Sequence, residues 1–185
     1  MKKITRFQDI PQFTDIGHYA VDYPIHSLIY YLEDEIAHDG LQLNPEFQRG
    51  HVWTTKQQIS YIEFLLRGGH TGRDLYFNCP SWHHSVPAGA YNDFVCVDGL
   101  QRITAIQAFI HNEIPVFGSY FKEYTDSPRI IRDTLRIHIN DLKTYKEVLL
   151  WYIELNSGGT PHTEKEIDRV KSLLKQELKK EMFSL

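Results

Sequence analysis

The segment Val97-Asp98-Gly99-Leu100-Gln101-Arg102 holds the densest set of residue types able to handle negatively charged oxygens. An apolar run, Asp93 to Val97, leads into Asp98-Gly99, and helical spacing begins directly afterwards. A strand that turns into a helix leaves the first helical N–H groups without backbone partners, and their dipoles favour anions. Arg102 adds a planar guanidinium that can grip two phosphate oxygens at once. Gln101, in the same turn, is suited to orienting a water or holding a base or a phosphate. Asp98 is suited to coordinating Mg2+ that bridges phosphates, or to accepting a proton from an attacking water. The set therefore predicts phosphate handling, with Asp98, Gln101 and Arg102 as the catalytic candidates and Gly99 as part of the anion cradle. Taken alone, the same residues also describe a plain Asp-Gly turn in which Asp98 caps the helix and Arg102 lies on a solvated face.

These residues need elements to position them. Pro24 with Ile25, Leu28, Ile29, Leu32 and Ile36 at helical spacing predicts a first helix closed by Gly40. Leu41-Gln42-Leu43 reads as a short strand, and Phe47, Val52 and Trp53 as an irregular, partly buried stretch in which Phe47 and Trp53 are core anchors. Thr55-Lys56-Gln57-Gln58 has capping-box spacing for a second helix through Ile59, Ile62, Leu65 and Leu66, stopped by Gly68-Gly69. Asp74–Asn78 and Asp93–Val97 read as strands, and the helix after the Asp98 turn runs from Gln101 to His111. Ile114-Pro115-Val116 and Leu135 to Ile139 supply further short strands. Thr144 and Glu147 cap a helix to Leu155, broken by Asn156-Ser157-Gly158-Gly159-Thr160-Pro161. A last helix begins with the box Thr163 to Glu166 and turns Ile167, Val170, Leu174 and Leu178 inward. Strands and helices in this mixture predict an α/β (α+β mixed) class, as one domain over 1–185 with its core at about 25–174.

Several of these segments recur in a linked order: Asn44-Pro45-Glu46-Phe47-Gln48-Arg49 with Val52-Trp53, then Leu65-Leu66-Arg67-Gly68-Gly69, then the Asp98 segment, then Leu155-Asn156-Ser157-Gly158-Gly159-Thr160. The series resembles the N-terminal domain of GmrSD-type modification-dependent restriction enzymes, within the ParB/sulfiredoxin-like domains. That resemblance implies a small mixed sheet surrounded by helices. It also implies an Asp-Gly-Gln-Gln-Arg signature that binds a nucleoside triphosphate, and in several relatives hydrolyses it, in DNA defence, counter-defence or DNA metabolism. Asp98, Gly99, Gln101 and Arg102 match the signature, whereas Leu100 stands where the family has its first Gln. By the same resemblance Arg49 reaches the phosphates from a neighbouring loop, and Asn156, Gly158 and Gly159 close over the nucleotide. Apart from the resemblance, Arg49 also fits a structural ion pair, and the Gly158-Gly159 stretch a helix stop.

Composition sets the limits. The chain has 185 residues, 42% hydrophobic and 24% charged, which suits a packed domain. Its net charge of −4 weighs against non-specific coating of DNA but leaves room for a local basic cleft. No run approaches the ~18 apolar residues of a membrane span. The N-terminus lacks a signal-peptide run, and Cys79 and Cys96 form no Cys-x-x-Cys motif, so a cytoplasmic setting is expected. Trp82-His83-His84 offers no third ligand for a metal and reads as an exposed recognition loop. No Walker-type phosphate loop is present. Three functions stay open: a Mg2+-dependent nucleoside triphosphatase (or a kinase-like transferase), a DNA-binding or nicking module, and a catalytically silent regulator of a larger protein partner, any of them as a homo-oligomer.

Overall fold

A computed structural model of the chain describes residues 3–10, 19–157 and 164–183. The sequence expectations for Gly158, Gly159, Thr160, Pro161 and Thr163 lie outside the described residues. A four-stranded sheet stands at the centre, in the order β1 (Tyr19–Pro24), β4 (Thr134–Asn140), β2 (Asp74–Asn78), β3 (Val95–Asp98). The β1–β4 and β2–β3 pairs are antiparallel, and β2–β4 is parallel, so the sheet is mixed. The helices are α1 (Ile25–His38), α2 (Thr55–Leu66), α3 (Leu100–Ile110), α4 (Tyr145–Ser157) and α5 (Glu164–Phe183). The α/β class expected from the sequence is the one observed.

Alternation along the strands sends side chains to two faces. Leu75, Phe77, Cys96, Leu135, Ile137 and Ile139 belong to one core, packed with residues of α1, α2 and α3 such as Leu28, Ile62 and Ile106. Val95 and Val97 belong to a second core with Phe47, Val148, Leu149, Tyr152 and Val170. The β3 end of the sheet is thus covered on both sides. At the β1 end, Asp22 and Arg136 stay in water as an ion pair at 2.8 Å.

Several local expectations shift, each for a physical reason. The capping box is made by Thr54 and Gln57, one residue earlier than Thr55 and Gln58. Gln58 then turns inward, where its Nε2 meets His51 Nε2 at 3.2 Å. Leu41 to Leu43 forms only a single parallel bridge, Gln42 to Val95, and the Cys96 carbonyl that a longer ladder would use accepts from Gln48 Nε2 instead. Ile114 to Val116 likewise gives only the bridge Val116 to Ser119 across a tight turn. Leu178 is 40% exposed, whereas Val170 of the same helix is buried. Strand β1 was not expected, since Tyr19–Pro24 lacks a clean alternation; its place in the sheet comes from pairing along β4.

Candidate functional site

Asp98 is the last residue of β3, and its placement depends on an irregularity. Phe77 pairs with Cys96 and Asn78 with Val95, but the register slips between Tyr76 and Phe77, so Asp98 stands opposite Tyr76. An uninterrupted ladder would set Asp98 against Leu75, whose side chain is fully buried. The slip therefore spares the carboxylate from facing the core, a recognised use of bulges near functional sites.

Gly99 follows with φ +126°, a conformation that L side chains rarely adopt, and forms the N-cap of α3. A Cβ there would lie 2.6 Å from Leu75 Cδ2. The turn is pressed onto β2, which gives Gly99 a packing reason of its own. Leu100 packs inward at 8% exposure.

Arg102, one turn into α3, bends back to Asp98. Its Nη2 donates to Asp98 Oδ2 at 2.6 Å and to the Asp74 carbonyl at 3.0 Å. The side chains are 19% and 39% exposed, so the pair sits at the boundary between core and water. Burial works against the guanidinium's charge. The Asp98 carboxylate, through space and through its hydrogen bond, outweighs that and holds the pKa above the ordinary arginine value. Arg102 Nε is buried without a partner.

Gln101 is committed to a neighbouring loop. Its Oε1 accepts from Val52 N–H at 2.9 Å and Trp53 N–H at 3.0 Å, and its Nε2 donates to the Gly50 carbonyl at 2.7 Å. One residue does the work of a turn partner for an extended segment. A second amide completes the connection: buried Gln48 donates through Nε2 to the carbonyls of Cys96 at 3.1 Å and Val97 at 2.9 Å. Half-buried Arg49 is bracketed between these two latches, one onto β3 and one onto the first turn of α3. Sequence reasoning passed over Gln48; the signal was its place in Phe47-Gln48-Arg49 beside a buried anchor.

Asn156 lies in the last turn of α4, where its Nδ2 donates to the Tyr152 carbonyl at 2.7 Å. Tyr152 in turn meets the Phe47 ring edge-on at 5.1 Å, which ties α4 to the segment carrying Arg49. Two further residues escaped the sequence reading. Tyr76 stacks on His138 with ring centroids 4.7 Å apart, and His138 Nε2 lies 2.7 Å from Asp74 Oδ1. Burial, and then the Asp74 and Asp98 carboxylates, push the Tyr76 hydroxyl's pKa up. The hint was the polar face of β4, where Arg136 and His138 alternate with buried aliphatics. By contrast, Trp82 packs against Tyr19 and Phe94, leaving His83 and His84 exposed. Among the described residues no group of three His, Cys, Asp or Glu side chains could hold a metal, and no helix is long and apolar enough to cross a membrane.

The fold and the corner together define a mixed α/β domain with a guanidinium–carboxylate pair at a strand-to-helix turn. Residues 32–134, more than half of the chain, match the family model of the N-terminal domain of GmrSD restriction endonucleases, and the chain belongs to that family. Membership ties it to restriction, that is, to DNA defence. The match contains Arg49 and the Asp98 segment but ends before Asn156. No curated protein and no solved structure matches the chain.

Proposed function

We propose that the domain binds a nucleoside triphosphate at the Asp98–Arg102 corner and uses it in DNA defence. The supporting observation is the contact of Asp98 with Arg102 at one strand-to-helix turn, to which the Gln48 and Gln101 latches tie the chain on either side of Arg49. The N–H groups of Gln101 and Arg102 lie in the first turn of α3, where no helical carbonyl reaches them. They point positive dipole at an incoming phosphate, and the guanidinium supplies the charge. Gln101 acts here by holding the Gly50 to Trp53 loop in place, so its contribution is positional.

Asp98 suits Mg2+ carried in by a triphosphate, since such an ion is commonly anchored by one or two carboxylates with phosphate and water completing its shell. One carboxylate oxygen is bonded to Arg102, and the other has no hydrogen-bond partner among the described residues. The ion would neutralise charge on the bridging phosphate oxygens. Asp98 can instead take a proton from an attacking water. Leu100, buried where the resemblance has Gln, leaves no side chain there to orient that water, which favours tight binding with slow turnover.

Binding and phosphate release, measured for each triphosphate with and without Mg2+, separate the two steps. Wild type is expected to bind with little release. Asp98→Ala and Arg102→Ala are each expected to weaken binding by about tenfold or more, the scale of a lost charge-assisted contact. Absence of binding by the wild type, or variants that bind equally well, contradicts the proposal.

A further inference from the structure

Tyr76 stands directly across the sheet from Asp98, as its partner in the β2–β3 pairing. Opposed residues of paired strands lie about 5 Å apart at Cα, so Tyr76 borders the corner where Asp98 meets Arg102. It sits on the face that α4 covers, because Leu75 and Phe77 on either side point into the opposite core. Two further elements hold its ring. The His138 imidazole of β4 lies nearly parallel to it, at 12° and 4.7 Å between centroids, and Asp74 Oδ1 anchors that imidazole 2.7 Å from Nε2. Buried Trp151 of α4 meets the ring edge-on, at 87° and 6.1 Å. These contacts leave it little freedom to swing.

Packing accounts for the ring and not for the hydroxyl, since a phenylalanine would make the same two contacts. The hydroxyl makes no hydrogen bond among the described residues, and its oxygen is open to water on a half-buried side chain. Asp74 and Asp98 are near enough to act on it, and so is Arg102. Both carboxylates already have partners: Arg102 at 2.6 Å for Asp98 and His138 at 2.7 Å for Asp74. Burial and the carboxylates keep the phenol protonated, so it has a hydrogen to give.

We infer that Tyr76 contacts the ligand: its hydroxyl donates a hydrogen bond to a phosphate oxygen of the triphosphate at the Asp98–Arg102 corner, and His138, anchored by Asp74, positions the ring. The inference rests on the triphosphate reading and adds to it a donor from β2, beside two residues that belong to β3 and α3. A neutral donor suits this place, because it meets an anionic oxygen without disturbing the charge balance between Asp98 and Arg102. A ring clamped before the ligand arrives has little ordering left to do on binding.

Isothermal titration with ATP, GTP, CTP and UTP, and with inorganic tripolyphosphate, tests it on wild type, Arg102→Ala, Tyr76→Phe, His138→Ala and the double variant Tyr76→Phe/His138→Ala. Tyr76→Phe should raise Kd by about tenfold for the nucleotide and the inorganic ligand alike, the scale of a lost hydrogen bond to a charged group. Its melting temperature should hold, because the hydroxyl bonds to nothing within the protein. His138→Ala should raise Kd by about threefold and add nothing further in the Tyr76→Phe background, as a residue that acts through the ring must. Wild-type affinity in Tyr76→Phe, alongside weakened binding by Arg102→Ala, would overturn this inference and leave the triphosphate reading standing. A loss confined to nucleotides would also overturn it, by moving the contact off the phosphates. Additive losses in the double variant would remove His138 from the positioning role. A wild type that binds none of the ligands would overturn the inference and the reading beneath it together.

Discussion

Asp98 and Arg102 are held in place by Gly99, the residue between them with the least freedom to change. Gly99→Ala would place a methyl group 2.6 Å from Leu75 Cδ2 in a fully buried position, at a φ that alanine resists. Overpacking and backbone strain together should cost about 2–4 kcal/mol, measurable by urea denaturation. A loss below about 0.5 kcal/mol would mean that the turn can move away from β2. That Asp98 and Arg102 share one corner was legible in the sequence, because residues four apart at a helix start share one side, but their direct ion pair was not read. The engagement of Gln101 was not. Its three partners lie 48 to 51 positions upstream, in a segment with no periodicity to announce where it packs. The register slip that re-aims Asp98 was equally hidden, since an apolar run such as Phe94 to Val97 does not reveal which neighbour each residue faces.

Among the elements, two amides couple the loop that carries Arg49 to the β3–α3 unit. Gln101→Ala should leave the N–H groups of Val52 and Trp53 to water and release the loop, at about 1–2 kcal/mol, because Val52 is largely exposed. Hydrogen exchange at those two amides should accelerate while α3 stays protected. Gln101→Glu should retain the two N–H acceptors but set a carboxylate oxygen against the Gly50 carbonyl, and should fall between wild type and alanine. Unchanged exchange in the alanine variant would show that the loop is held by other contacts. The helices were readable to within a residue or two from spacing and caps. Candidate strands fared less evenly: β2 and β4 were plain, whereas Leu41 to Leu43 and Ile114 to Val116 carried strand-like residues yet form one bridge each, because pairing depends on the partner strand and not on local pattern alone. Strand β1 escaped because its stability comes from β4 and not from its own pattern.

Across the whole molecule, a mixed sheet closed by helices on both faces at the β3 end leaves its polar chemistry at the rim. One carboxylate carries a cost there. Burial raises the Glu35 pKa, and the Asp39 and Asp34 carboxylates add to the shift, against a hydrogen bond from Tyr31 that lowers it. The folded state therefore holds that proton more tightly than the unfolded chain. The associated stability is present below the ordinary glutamate pKa of about 4.3 and is lost as pH rises through the folded value. Glu35→Gln should accordingly raise the melting temperature near neutral pH and change it little at about pH 4. A stabilisation equal at both pH values would assign the effect to something other than ionisation. Family membership and fold class were visible from linked motifs spread over the chain, because each motif sits on an element that periodicity could place.

We propose triphosphate binding at the corner formed by Asp98, Gly99 and Arg102. Equilibrium titration of a fluorescent nucleoside triphosphate into wild type and Arg102→Ala, with folding of both verified by circular dichroism, tests it most directly. Saturable binding by the wild type, competed by unlabelled triphosphate and weakened about tenfold or more in the folded variant, is the predicted result. No saturation with the wild type, or equal affinity in both proteins, would contradict it.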